Sequence, residues 1–133
     1  MTDISSELID RIVAQAVATP DVEVCGLLFG SAQAITGVQP CRNVADDPTR
    51  WFELDPAALL AAHRAARHGG PPIAGHYHSH PTGVVQPSPR DAAAAMPDGA
   101  LWLIVGAREV RAWRAVDKGS VEGRFEPVEL IVR

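Results

Sequence analysis

Leu101-Trp102-Leu103-Ile104-Val105 is an unbroken apolar run with glycine on either side, at Gly99 and Gly106. A strand of that composition has no polar face to offer water, so it reads as buried on both sides. A fold that contains it needs covering layers above and below a sheet. The chain has 133 residues, 47% of them hydrophobic, which is enough for one core, and the expectation is a single domain over residues 1–133.

Three segments read as the covering helices. Ile4, Leu8, Ile12 and Ala16 recur at four-residue steps with Ile9, Val13 and Val17 beside them, and Thr19-Pro20 ends the pattern. Asp55-Pro56 is a helix start, an acidic cap followed by proline at the first helical position. That helix continues through Leu59, Leu60 and His63 until His68-Gly69-Gly70-Pro71-Pro72 stops it. Ser88-Pro89-Arg90-Asp91 opens a third helix through Met96, closed by Pro97-Asp98-Gly99. Strands are expected at Val22–Phe29, its hairpin partner Ala34–Val38, a short Trp51–Leu54, Ile73–Ser79, Leu101–Val105, Glu109–Val116 and Val121–Val132. Pro127 weakens the last or places it at an edge. The sum is an α/β (α+β) domain, a mixed sheet flanked by about three helices.

Charge and cysteine content narrow the function classes. A net charge of -4 and a pI near 5.7 supply no basic face for nucleic acid. No apolar run reaches the length of a membrane span. Cys25 and Cys41 are too few for a disulfide-built secreted scaffold. Met1 to Asp10 carry acids and no basic stretch, unlike a signal peptide, so a cytoplasmic setting is expected. Oligomeric state has no signature in the sequence.

The chemistry concentrates in Gly75-His76-Tyr77-His78-Ser79-His80-Pro81. On a strand, residues two apart face the same way, so His78 and His80 present two imidazoles side by side, and Pro81 leaves them at the strand's mouth. Histidine is a common zinc ligand, and a catalytic zinc takes three protein ligands with one position open. Asp91, eleven positions after His80, is the candidate third ligand. Ser88-x-x-Asp91 is equally a capping pattern in which Asp91 serves only the helix start. His76 shares the strand face and is a candidate fourth ligand, although it would close the site. Hydrolysis also needs a proton acceptor and donor. Glu23, among Val22, Val24, Leu27, Leu28 and Phe29, is that candidate, because a carboxylate there is costly to bury without a purpose. The alternative is a strand end that reaches solvent.

Taken together, Glu23 within Val22–Gly30, then His78-Ser79-His80-Pro81, then Ser88-x-x-Asp91 resembles the JAMM (MPN+) metallopeptidases, and most closely their small prokaryotic branch. The stretch from Asn43 through Trp51–Pro56 is also similar to the segment before that family's second helix, so the resemblance covers roughly residues 4–116. It implies a cytidine-deaminase-like fold, one zinc ion per chain held by His78, His80 and Asp91, water activation by Glu23, and oxyanion stabilisation by Ser88. The reaction it implies is hydrolysis of a Gly-Lys isopeptide or Gly-X peptide bond. Short segments at 30–43 and 80–91 leave little room for the insertions with which eukaryotic members grip ubiquitin chains. The bacterial branch implies instead a ubiquitin-like or sulfur-carrier partner ending in Gly-Gly, whose tail is trimmed or relieved of an amino acid such as cysteine. Such a tail suits an exposed strand edge.

Other readings compete. One is a non-catalytic MPN scaffold, whose members usually lack one of these polar positions. Another is a peptidase acting on cell-wall or phage-tail peptides. A zinc base deaminase needs a Cys-x-x-Cys pair and a His-x-Glu, and neither occurs here. Cys25 lies in an apolar strand, better suited to a structural cysteine than to a nucleophile.

Overall fold

The computed structural model describes residues 1–133. Its elements are β1 (Thr2–Ile4), α1 (Ser6–Ala18), β2 (Cys25–Gly30), β3 (Ile35–Cys41), α2 (Pro56–Arg67), β4 (Ile73–Ser79), α3 (Pro89–Ala94), β5 (Leu101–Gly106), β6 (Glu109–Ala115), β7 (Phe125–Val128) and β8 (Leu130–Val132). Six strands form one sheet in the order β3-β2-β4-β5-β6-β7, while β1 and β8 pair separately and in parallel. Within the large sheet only β4 and β5 run parallel. A parallel pair needs a crossover, and α3 lies on it.

The apolar run occupies β5 and is covered on both sides. Leu101, Leu103 and Val105 join Leu28, Tyr77 and Ala112 beneath α1, which contributes Leu8, Ile12, Val13 and Ala16. Trp102 and Ile104 point the other way and pack with Trp113, Ala115 and Phe125, against Phe52, Ala92 and Ala95. Close approach fixes two glycines. A side chain at Gly26 would meet the Tyr77 ring, and one at Gly75 would meet the Leu101 carbonyl. The Tyr77 hydroxyl donates to Gln15 Oε1, and Gln15 Nε2 donates to Cys25 O at 3.3 Å, which ties α1 to two central strands.

Several boundaries differ from the sequence pattern for identifiable reasons. Ile4 lies in β1 opposite Val132 rather than in α1, because Ser5 caps the helix by accepting from Leu8 N at 3.2 Å. Val121–Val132 is divided: β7 pairs with β6 at the sheet edge, where Pro127 is tolerated, and β8 leaves to pair with β1. Trp51–Leu54 is not a strand but a single bridge from Leu54 to Asn43. There the Asn43 side chain takes the place of a ladder, accepting from Glu53 N at 3.1 Å and donating to Trp51 O at 3.0 Å. No helix is long and apolar enough to cross a membrane.

Candidate metal centre

Strand β4 sends His76 and His78 to the face that also carries Trp102, and His80 follows just past its last residue. Pro81 then turns the chain into the loop that leads to α3. His78 is fully buried, and His80, Asp91 and Glu23 are nearly so. The two imidazole Nε2 atoms lie 3.0 Å apart. Asp91 Oδ2 is 3.2 Å from that of His78 and 3.1 Å from that of His80. The three candidate ligands therefore converge on one point.

Asp91 arrives there because α3 begins with a complete capping box. Ser88 Oγ accepts from Asp91 N at 3.0 Å, and Ser88 N donates to Asp91 Oδ2 at 2.9 Å. The capping and ligand readings of Asp91 do not exclude one another, since the same carboxylate faces both groups. Burial alone would raise the Asp91 carboxyl. The hydrogen bonds from His78 and His80, the charge on His78 and the Ser88 amide outweigh it and hold the group well below the usual range.

Glu23 stands beside this cluster. One of its oxygens and the two histidine nitrogens all lie within 4.8 Å of one another. Its Oε1 is buried with no hydrogen-bond partner. Burial pushes its carboxyl up to about 7, opposed by charge on His80 and reinforced by Asp91. The backbone around it is strapped on both sides. Ser79 Oγ accepts from Val24 N at 2.9 Å and donates to Val22 O at 3.4 Å, while Asn43 Nδ2 donates to Glu23 O at 2.8 Å.

The imidazoles are oriented differently. His80 Nδ1 donates to Val84 O at 2.7 Å, which assigns a proton to Nδ1 and turns Nε2 towards Asp91. Burial would lower His80, but the Asp91 carboxylate, the Val84 carbonyl and Glu23 raise it overall. His78 has no partner for Nδ1 and stacks on Phe52, with centroids 4.2 Å apart and planes at 20°. Burial lowers His78 in spite of Asp91. His76 is not in the cluster. It packs edge-on to Trp102 at 4.3 Å, and burial pushes it down to about 3, so it stays neutral.

This donor set fits a divalent cation. With its Nδ1 proton held by Val84 O, a neutral His80 would offer the Nε2 lone pair to a cation, and Asp91 Oδ2 would offer a second donor from the other side. Zinc with ligand bonds of about 2.0–2.1 Å spaces tetrahedral donors about 3.3 Å apart, close to the 3.0–3.2 Å found here. Two cavities flank the cluster. One of about 440 Å³ is lined by Glu23, Arg50, His80, Thr82 and Ser88. The other, of about 350 Å³, is lined by Trp51, Phe52, His76, Arg90, Asp91 and Trp102.

Asn43, Ser79 and Phe52 were not singled out from the sequence. Asn43 stood only at the start of the stretch before the second helix, Phe52 in an expected short strand, and Ser79 only between the two histidines. Ser79 did carry a signal: alternation points it away from His78 and His80, towards the chain that holds Glu23.

Comparison with known proteins finds related sequences and a shared fold. The chain is 32% identical over 112 residues to a desampylase from Pyrococcus furiosus, spanning 84% of this chain and 79% of that protein. It is 36% identical over 89 residues to a probable TtuB-protein conjugate cleaving protease from Thermus thermophilus, spanning 65% of this chain and 57% of that one. The fold matches the crystal structure of a JAB1/MPN domain protein from Archaeoglobus fulgidus with a TM-score of 0.62 at 22% identity, covering 99% of this chain and 98% of that one. Residues 5–116 match the family described as prokaryotic homologs of the JAB domain, and the chain belongs to that family.

Proposed function

We propose that this chain is a zinc-dependent isopeptidase or peptidase that cleaves after the Gly-Gly tail of a ubiquitin-like or sulfur-carrier protein. The observation that carries the proposal is the convergence of His78, His80 and Asp91 on one point beside a buried carboxylate with a free oxygen. The desampylase and the probable conjugate-cleaving protease among its relatives support an isopeptidase acting on such conjugates. In this reading residues 1–133 form one catalytic domain that works in the cytoplasm.

His78, His80 and Asp91 would hold one zinc ion, which would polarise the scissile carbonyl and acidify the attacking water. Glu23, with Oε1 unengaged, takes the proton of that water and returns it to the departing nitrogen. Ser88 Oγ already accepts from Asp91 N, so its own hydrogen is free to meet the developing oxyanion. The cavity that Glu23, His80 and Ser88 share gives the scissile bond its approach. A tail of glycines has no side chains to obstruct that approach.

The test is zinc content of protein purified without chelator, together with cleavage of a Gly-Gly-tailed carrier conjugate. One zinc per chain and release of the carrier are expected. Protein that stays zinc-free after supplementation would favour the scaffold reading. Zinc-loaded protein that spares every carrier conjugate yet cuts unrelated peptides would remove the substrate assignment.

A further inference from the structure

The loop between the two halves of the donor set, Pro81 to Pro87, is held by residues that lie outside it. From β6, the Trp113 indole Nε1 donates to Val85 O at 3.0 Å, and the side chain is only 3% exposed. At the end of β5, Gly106 sits against the loop. A side chain there would collide with the Gly83 carbonyl oxygen and come within 2.9 Å of Val85 Cγ1. The loop is closed at its start by Gly83 N donating to His80 O at 2.9 Å, and His80 N is itself anchored to Val105 O at 2.8 Å. One residue before Val85, the Val84 carbonyl accepts from His80 Nδ1 at 2.7 Å. Past Pro87 the same loop delivers Ser88 and Asp91.

These contacts form a chain with a chemical consequence. A ligating imidazole needs its proton on the nitrogen that faces away from the metal, and the partner of that N–H fixes both the tautomer and the ring plane. For His80 that partner is a backbone carbonyl in an exposed loop, not a side chain on a rigid element. Val84 is itself 55% exposed and its amide reaches only Thr82 Oγ1 at 3.4 Å, within the same loop, so little about Val84 alone keeps its carbonyl in place. What does so is the indole hydrogen bond to the next residue and the absence of a side chain at Gly106, which lets the loop lie down on β5. Neither β5 nor β6 contributes a donor to the cluster.

We propose that Trp113 and Gly106 are positioning residues for the metal centre, acting through Val85 and Val84 on His80. The inference rests on the reading of His78, His80 and Asp91 as metal ligands. Trp113→Phe keeps an aromatic ring in the core but removes the indole N–H together with part of the ring system packed there. Gly106→Ala leaves the core untouched and lifts the loop from the other side, so it serves if the first variant folds poorly. Ile12→Val in α1, remote from the loop, is the control for general loss of stability.

Zinc affinity would be measured by competition with a chromophoric chelator, alongside thermal unfolding of the metal-free proteins. Both loop variants should bind zinc about 10–100-fold more weakly than the wild type, the usual cost of removing an outer-shell partner. The control should keep wild-type affinity despite its lower melting temperature. In the zinc-loaded wild type, nitrogen NMR should place the His80 proton on Nδ1. If the wild type binds zinc and both loop variants bind it within twofold as tightly, the positioning role is wrong while the ligand assignment stands. The same holds if the control weakens binding as much as they do. If the wild type binds no zinc, the ligand assignment itself fails and takes this inference with it.

Discussion

At the level of single residues, the candidate ligands and the candidate base separate into distinct roles that substitution can resolve. Glu23→Gln keeps size and removes the exchangeable carboxylate, so zinc content should stay at the wild-type level while turnover falls by about 10²–10⁴. Normal kcat in that variant would assign the proton transfer elsewhere. His80→Ala should lose zinc and activity together, and a fully loaded variant would remove His80 from the ligand set. Ser88 has two possible duties, and glycine tells them apart. Glycine costs only a few tenths of a kcal/mol at a helix cap, so Ser88→Gly should melt near the wild type. Turnover should nevertheless fall about 10²–10³ if the hydroxyl meets the oxyanion, and a fall below threefold would leave Ser88 as a cap alone. Asn43, whose side chain bonds Glu23 O, Trp51 O, Ala45 N and Glu53 N, gave no functional signal in the sequence because nothing local distinguishes it from any loop asparagine. Its partners are 20, 8, 2 and 10 residues away, and only folding brings them to one side chain.

Among the elements, β4 and α3 carry the candidate centre, and their packing explains why it forms without a special scaffold. β4 alternates Tyr77 and Ser79 towards α1 and the Glu23 segment, and His76 and His78 towards Trp102 and Phe52. The crossover from β4 to β5 returns through α3, whose first turn lies at the histidines. The elements are sensitive where they touch most closely. Gly26→Ala would drive a methyl into the Tyr77 ring, and such overpacking should destabilise by about 1–3 kcal/mol, read as a lower urea midpoint with an unchanged slope. An unchanged midpoint would mean that Tyr77 can swing aside and that the bond from its hydroxyl to Gln15 is dispensable. Most element types were readable from periodicity, since long apolar faces dominate α1 and β5, although the expected Trp51–Leu54 strand is only a bridge. Ends were not, because a single cap at Ser5 and the pairing of β8 with β1 outweighed the local pattern.

For the molecule as a whole, metal binding and folding should be coupled. The donors come from β4, from the loop end after it and from α3, while Glu23 comes from the segment before β2, so an unfolded chain holds no such site. A ligand present at about 100 times its Kd adds about 2.7 kcal/mol to stability. With an unfolding entropy of about 2.1 cal/mol/K per residue over 133 residues, that corresponds to a rise in Tm of about 10 °C. Thermal scans with and without excess zinc check it, and His80→Ala should lose the rise. Equal melting temperatures for the wild type in both conditions would mean that the native chain holds no tight zinc site, and a rise that persists in His80→Ala would place the site elsewhere.

The sequence alone determined the fold class, through one strand apolar on both faces and three helix patterns to cover it. It also determined the chemical character of the centre, because His-x-His on a strand fixes the relation of two imidazoles by backbone geometry, without any distant contact. Tertiary structure decided everything that depends on residues far apart in the chain. It brought Asp91 to the histidines while leaving it in its cap, buried Glu23 beside them with one oxygen free, turned His76 aside to Trp102, and set the His80 proton through a loop pinned from β6. Apart from the short reach from His80 to Val84 within the loop, these are contacts across ten to sixty residues, and no local pattern encodes them, since each is fixed by the packing of two sheet faces rather than by the sequence around it.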